Sequence, residues 1–244
     1  FQTITLISTL WNLMERIILR LRHTVECGLQ PQQVGLFPER STLDALITLI
    51  DSVTHRVVGE KTAAVFIDDA GAFDSVDHRC IIGASKRYEV DMHLIAWVAN
   101  FLEQRAAVVR INNTLSKKIQ LTCSVTQGSV LRSLLFIIAI DSLSAKPNAI
   151  PTLKHCFFAD DFMILCCNTD WEAIHQTPQA GLDCTSSWRV EHVTNVSAEK
   201  TNACFFASDR DRDSLHIIHG EDRLNETRYQ RLLGVTMQPH NSQY

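Results

Sequence analysis

The stretch KHCFFADDFMILCC, running from Lys154 to Cys167, decides the fold. Residues 154–159 and 162–167 are short apolar runs, the pattern of strands with little exposed surface. Between them stands Asp160-Asp161, a turn-forming pair. The expectation is a β-hairpin with two carboxylates at its tip. A second apolar run, TAAVFID at 62–68, also ends on an acid, Asp68. A carboxylate closing a buried strand is costly unless a positive group offsets it. Two adjacent carboxylates raise each other's pKa. A divalent cation with a preference for hard oxygen ligands, Mg²⁺ or Mn²⁺, resolves both problems. The plain alternative is that Asp160-Asp161 only forms a turn.

Working outward, residues 5–26 read as a helix, with Leu6, Leu10, Leu13, Met14, Ile17, Ile18 and Leu21 at helical spacing. After a loop at 30–41, Ser41 or Thr42 caps a helix over 43–56 whose apolar face includes Leu43, Leu46, Ile47 and Ile50. Helices are expected at 77–87, 91–103, 129–142 and 171–189. Segments 106–111 and 117–122, joined through Asn112-Asn113, form a hairpin. Weaker strands are expected at 203–207, 216–219 and 231–235. Helices and strands mix without regular βα alternation, so the class is α+β, with helices backing an antiparallel sheet.

Composition narrows the function. The 244 residues are 45% hydrophobic and 20% charged, which argues against disorder. No apolar run spans a membrane; the longest, Leu134–Ile140, is far too short. The first ten residues lack the features of a signal peptide. Net charge is −4, an unusual balance for a stand-alone nucleic-acid binder, although it leaves room for a local basic groove. Eight cysteines show neither Cys-x-x-Cys pairs nor zinc-finger spacing, so they are expected to be reduced thiols in an intracellular protein.

With their flanks included, these motifs resemble a known family. CFFADDFMIL (Cys156–Leu165) is similar to the catalytic hairpin of reverse transcriptases, in the form found in non-LTR (LINE-type) retrotransposons. AVFIDDAGAFDSVDH (Ala64–His78) resembles the family's first catalytic strand, and QGSVLRSLLF (Gln127–Phe136) its Gly-x-Pro-Gln-Gly-Ser segment. QVGLFPERSTLDAL (Gln33–Leu46) resembles a fingers motif. EKT (Glu199–Thr201) and YQRLLGV (Tyr229–Val235) resemble later palm motifs, and ITLISTLWNLMER (Ile4–Arg16) the entry segment. The segments follow the family's order and span nearly the whole chain.

The resemblance implies a polymerase palm with helical fingers and no thumb in this chain. Residues 1–60 would be fingers and 61–244 palm, with a fingers-side insertion at about 85–120. It implies RNA-directed DNA polymerase chemistry, with an RNA template, a DNA primer and deoxynucleoside triphosphates as partners, and no membrane. The cofactor would be two Mg²⁺ ions, replaceable by Mn²⁺, roughly 4 Å apart. Asp68, Asp160 and Asp161 would be the catalytic metal ligands. Phe73 would lie under the sugar and reject a 2′-hydroxyl; its alternative is an ordinary core residue. Arg40 would grip the triphosphate. Gln127 and Gly128 would touch the templating pair. Lys200 would stand by the leaving pyrophosphate; its alternative is a solvated strand-edge lysine. Leu232, Leu233 and Gly234 would form the primer grip. Asp74 and Asp77 would be turn or cap residues. The remaining polyprotein, thumb and endonuclease, lies outside this chain. The setting would be intracellular, and nuclear for an active element.

The chain also departs from the pattern. Ser124-Val125-Thr126 replaces Gly-x-Pro, and Arg132-Ser133 replaces Gly-Pro. If the glycine at 132 had a positive φ, Arg132 would be strained there. Gln2-Thr3-Ile4 replaces Arg-Pro-Ile, Leu36-Phe37 follows Gly35 where Phe is expected, and Asp69 adds a carboxylate. These changes suit an impaired copy, and the second expectation is a silent remnant that folds and binds nucleic acid without extending it. A haloacid-dehalogenase-type phosphotransferase is disfavoured, since Asp68-Asp69-Ala70 lacks its Asp-x-Asp. A nucleotide cyclase is disfavoured by the fingers and primer-grip matches.

Overall fold

The computed structural model describes residues 9–19, 25–36, 39–55, 57–68, 71–103, 105–125, 128–192, 194, 196–206, 214–227 and 229–237. In chain order its elements begin with α1 (Thr9–Leu19), α2 (Thr42–Thr54), β1 (Lys61–Ile67), α3 (Ala72–Ser75), α4 (His78–Arg87) and α5 (Met92–Glu103). Four two-residue strands follow: β2 (Ala106–Ala107), β3 (Arg110–Ile111), β4 (Thr114–Leu115) and β5 (Ile119–Gln120). Next come α6 (Arg132–Ile140), a 3₁₀ turn (Asp141–Ser144), α7 (Ala145–Asn148), β6 (Leu153–Phe158), β7 (Asp161–Asn168) and α8 (Trp171–Glu191). The chain continues through β8 (Asn202–Phe206), β9 (Ile218–His219), β10 (Asp222–Arg223), β11 (Asn225–Glu226), β12 (Gln230–Leu232) and β13 (Val235–Met237). Two compact units result, interleaved in sequence: residues 1–29 with 71–142, and residues 30–70 with 143–244.

The second unit is built on a five-stranded sheet, ordered β11-β8-β1-β7-β6. All pairings are antiparallel except β11 with β8. Every residue of β1 is buried, which is why its sequence runs apolar instead of alternating. Ala64 and Phe66 pack into a cluster with Leu46 and Leu49 of α2, Met163, Leu165, Cys204 and Phe206. On the opposite face α8 approaches closely at Gly181. A Cβ there would meet Leu153 and Ile164 at 3.0 and 3.1 Å, tighter than ordinary packing. Helix α2 starts at Ser41, one of the two caps expected, and the structure makes it a capping box. Ser41 Oγ accepts from Leu43 N at 3.2 Å, and Ser41 N donates to Asp44 Oδ2 at 2.6 Å. Its inward face is Ala45, Leu46, Leu49 and Ser52. Leu43, Ile47 and Ile50, expected on the core side, are exposed instead.

The first unit is mostly helical. Asp77 caps α4 by accepting from Arg79 N at 2.7 Å, as its sequence position suggested. Tyr88 Oη donates to Asp141 Oδ2 at 2.6 Å inside the unit. Burial and this carboxylate push the phenol's pKa up. Helix α1 departs from its expected pattern: Ile18 is buried, but Leu10, Leu13, Met14 and Ile17 are exposed, while Glu15 is fully buried. The Glu15 carboxylate accepts from Ser129 Oγ at 3.0 Å and Val130 N at 2.5 Å, just ahead of α6. A carboxylate just ahead of a helix start also suits the positive end of the helix dipole. The rest of the expected 5–26 helix, at 5–8 and 20–24, lies outside the described residues.

The strain expected at Arg132 is absent, because Arg132 is the first residue of α6. It falls instead on Ser124, whose φ is +85°. That is the position where the resembled motif carries its first glycine. An L-residue in the left-handed region costs about 1 kcal/mol. Ser124→Gly is therefore expected to raise the melting temperature by about 2–4 °C, as scanning calorimetry would show. An unchanged or lower value would mean that the weak Ser124 Oγ contact to Asp74, at 3.4 Å, outweighs the backbone strain.

Candidate active site

The β1–β7 register pairs Ile67 with Phe162, so Asp68 stands next along the strand, at the level of Asp161. The β6–β7 hairpin pairs Phe158 with Asp161, leaving Ala159-Asp160 as a two-residue turn. Ala159 has φ of +57°, the conformation that the first position of such tight turns uses. The three expected aspartates thus gather at one end of neighbouring strands. The expected hairpin with acids at its tip is present.

Asp68 is held from both sides of its peptide. Its N–H donates to Thr201 Oγ1 at 3.3 Å, and its carbonyl accepts from Ser197 N at 2.9 Å. The same 197–201 turn brings Lys200 Nζ to 3.5 Å from Asp68 Oδ1. Asp161 is exposed as a residue, yet its carboxyl is crowded. Burial of that carboxyl, then the charges of Asp160 and Asp68, push its pKa up to about 6. Such repulsion marks a place where added positive charge would be stabilising. Among the described residues no three His, Cys, Asp or Glu side chains stand close enough together to ligate one ion. The donors are nevertheless all hard carboxylate oxygens, the chemistry that Mg²⁺ and Mn²⁺ take.

Behind the hairpin lies the 32–35 loop. Val34 N and Gly35 N donate to Phe157 O at 2.9 and 3.2 Å, and Phe157 N donates back to Gln32 O at 2.9 Å. A Cβ on Gly35 would stand 2.1 Å from Ala159 N. Sequence reading did not single out this contact; Gly35 within the quoted QVGLFPERS was its one available signal. Arg40 is tied to the same loop, its Nη1 donating to Pro31 O at 3.1 Å and Gln33 O at 2.5 Å. Leu233 and Gly234 link β12 to β13 with φ of +48° and +87°, both positive as in a type I′ turn. Leu232 is buried against the α2 side of the sheet, in the cluster of Phe66 and Met163.

The remaining expected site residues belong to the first unit. Phe73 stacks on Phe136 with centroids 4.0 Å apart. The Arg132 guanidinium lies over the Phe73 ring at 4.5 Å and pairs with Asp74 at 3.6 Å. Gly128 has φ of +109°, a conformation that favours glycine. Gln127, Thr126, Asp69 and Gln2-Thr3-Ile4 lie outside the described residues.

A family model described as "Reverse transcriptase (RNA-dependent DNA polymerase)" matches residues 1–237. The chain is 28% identical over 219 residues to the "Probable RNA-directed DNA polymerase from transposon BS" of Drosophila melanogaster, covering 84% of this chain and 24% of that protein. It is 25% identical over 217 residues to the "RNA-directed DNA polymerase from mobile element jockey" of the same organism, covering 85% and 24%. To the "Retrovirus-related Pol polyprotein from type-1 retrotransposable element R2" of Popillia japonica it is 28% identical over 177 residues, covering 68% and 25%. The chain spans about a quarter of the length of these relatives. Apo telomerase from Candida tropicalis matches with a TM-score of 0.61 at 13% identity, covering 93% of this chain and 39% of that one. Telomerase from Candida albicans, in complex with a TWJ fragment of telomeric RNA, matches with a TM-score of 0.59 at 13% identity, covering 93% and 37%. These likenesses show a palm-like fold, an antiparallel-rich sheet with helices.

Proposed function

Because the chain belongs to the reverse transcriptase family, as a domain of the non-LTR retrotransposon type, we propose that it adds deoxynucleotides to a primer on an RNA template. The observation that carries this reading is that Asp68, Asp160 and Asp161 stand at the same end of the neighbouring strands β1, β6 and β7. Asp68, Asp160 and Asp161 would hold two Mg²⁺ ions. When bound, such ions lower the barrier to attack by the primer 3′-hydroxyl on the α-phosphate and to departure of pyrophosphate. Lys200, already beside Asp68, would place a positive charge and a proton near the leaving group. The loop bonded to Arg40 would direct the guanidinium to the triphosphate. Phe73 would be the sugar contact, Gln127 and Gly128 would meet the templating pair, and the Leu232-Leu233-Gly234 turn would position the primer end.

The test is primer extension on an RNA template with Mg²⁺ or Mn²⁺. Asp160→Asn is expected to lower the rate by about 100-fold or more. Extension at equal rates by both proteins would sink the reading. Ser124, at φ of +85°, supports a second reading in which this copy is folded but silent. Extension only after Ser124→Gly, Thr126→Pro, Arg132→Gly and Ser133→Pro are combined would decide for it and identify that segment as the lesion.

A further inference from the structure

Charge is segregated along this chain. No Asp or Glu occurs between Glu103 and Asp141, while that interval holds Arg105, Arg110, Lys117, Lys118 and Arg132. The net charge of −4 therefore hides one wholly basic stretch. Much of it is a two-stranded arm. Ala106 pairs with Gln120 and Ala107 with Ile119, then Arg110 with Leu115 and Ile111 with Thr114. Between these ladders Ser116 N donates to Val109 O at 2.9 Å. Val108 alone thus faces two residues, Lys117 and Lys118, which is a β-bulge. Val108 and Arg110 alternate onto one face of their strand. The bulge sets the paired lysines opposite Val108, two and three positions along the partner strand from Leu115, which pairs with Arg110. All three cations are exposed. Arg110 Nε donates to Asn112 O at 3.1 Å, which leaves its positive charge uncancelled.

We infer that this arm grips the sugar-phosphate backbone of a nucleic acid. The choice of nucleic acid rests on the proposed polymerase reading. The mode of contact rests on the arm itself. Three clustered cations with no carboxylate among them suit successive phosphates. The arm, residues 105–122, carries no aromatic residue, so it offers no stacking platform for bases. Binding through it is therefore independent of sequence and steeply dependent on salt.

The test is fluorescence anisotropy with the full chain in EDTA, without nucleotide, from 50 to 200 mM KCl. The probes are a labelled 20-base-pair RNA–DNA hybrid, single-stranded RNA and single-stranded DNA. Combining Arg110→Gln, Lys117→Ser and Lys118→Ser is expected to weaken hybrid binding about tenfold or more at 100 mM KCl. It should also reduce the slope of log K against log[KCl] by about 2 to 3. Lys117→Arg with Lys118→Arg should preserve both. Comparable losses on all probes identify the shared phosphate backbone, and losses confined to one probe identify that strand type as the partner. A native chain that binds none of them, an unchanged slope in the triple variant with an unchanged melting curve, or equal displacement by polyglutamate each overturns the inference. Metal and nucleotide are absent, so a chain that binds through the arm yet extends no primer would defeat the polymerase reading alone.

Discussion

Gly35→Ala is expected to cost about 3 kcal/mol or more of stability and to abolish any activity that depends on Asp160. The added Cβ would lie 2.1 Å from Ala159 N and 2.7 Å from both the carbonyl carbon and the Cα of Phe158. These are backbone atoms and cannot swing aside as a side chain can. Either the 32–35 loop or the β6–β7 turn must move, and the hydrogen bonds joining Val34, Gly35 and Gln32 to Phe157 are lost with it. Ala159 immediately precedes Asp160, so the same shift displaces a candidate metal ligand. Gly83→Ala is the control. Gly83 is in α4, and a Cβ there meets nothing within 4 Å. It should gain about 0.5–1 kcal/mol from helix propensity. Urea unfolding of both variants checks the pair, and a Gly35→Ala protein as stable as the parent would refute the close approach.

Acid should weaken the protein through His155. This residue lies on β6, only 4% exposed, with Phe157 and Phe162 meeting its ring edge-on at 5.9 and 5.8 Å. Its Nε2 has no hydrogen-bond partner among the described residues. Burial lowers its pKa from 6.5 to about 4. The unfolded chain thus takes up a proton near pH 6.5 that the folded chain refuses until about pH 4. The stability contribution is fully present above pH 6.5 and drains away as the pH falls through that window. The full loss is about 3 kcal/mol. Asp161 acts in the opposite sense. Its raised pKa makes the folded state lose stability as the pH rises from 3.8 to about 6, beyond which the cost is constant. The difference between the parent and His155→Leu isolates the histidine: the parent should lose stability from pH 7 to 4.5 relative to the variant. Parallel stability–pH curves would show that His155 is hydrated or paired.

Burial also explains the cysteines. All eight are free thiols, and burial pushes those of Cys156 and Cys204 up to about 12. These two are packing groups in the sheet cluster, far from nucleophilic at neutral pH. Among the described residues no helix is long and apolar enough to cross a membrane.

Much of the sheet was legible because strands buried on both faces must be apolar throughout. Residues 62–68, 154–159 and 162–167 carried that signature, and the structure places β1, β6 and β7 within about one residue of those bounds. The caps at Ser41 and Asp77 were legible because a short polar side chain before a helix has a local job. The weaker strand expected at 216–219 survives as β9 over two residues, whereas β10 and β11, also two residues each, are too short for any periodicity to register.

The amino-acid sequence by itself determined the strand runs, the acidic turn, the caps and the family motifs, because each rests on neighbours in the chain. Only the tertiary structure decided which helix faces turn inward. Leu10, Leu13 and Met14 are exposed and Glu15 is buried because Ser129 and Val130, over a hundred positions away, supply its hydrogen bonds. The strain at Ser124, the backing of Ala159 by Gly35 and the doubled lysines opposite Val108 belong to the same class. Each depends on distances or registers between segments, and hydrophobic periodicity within one segment carries no information about them.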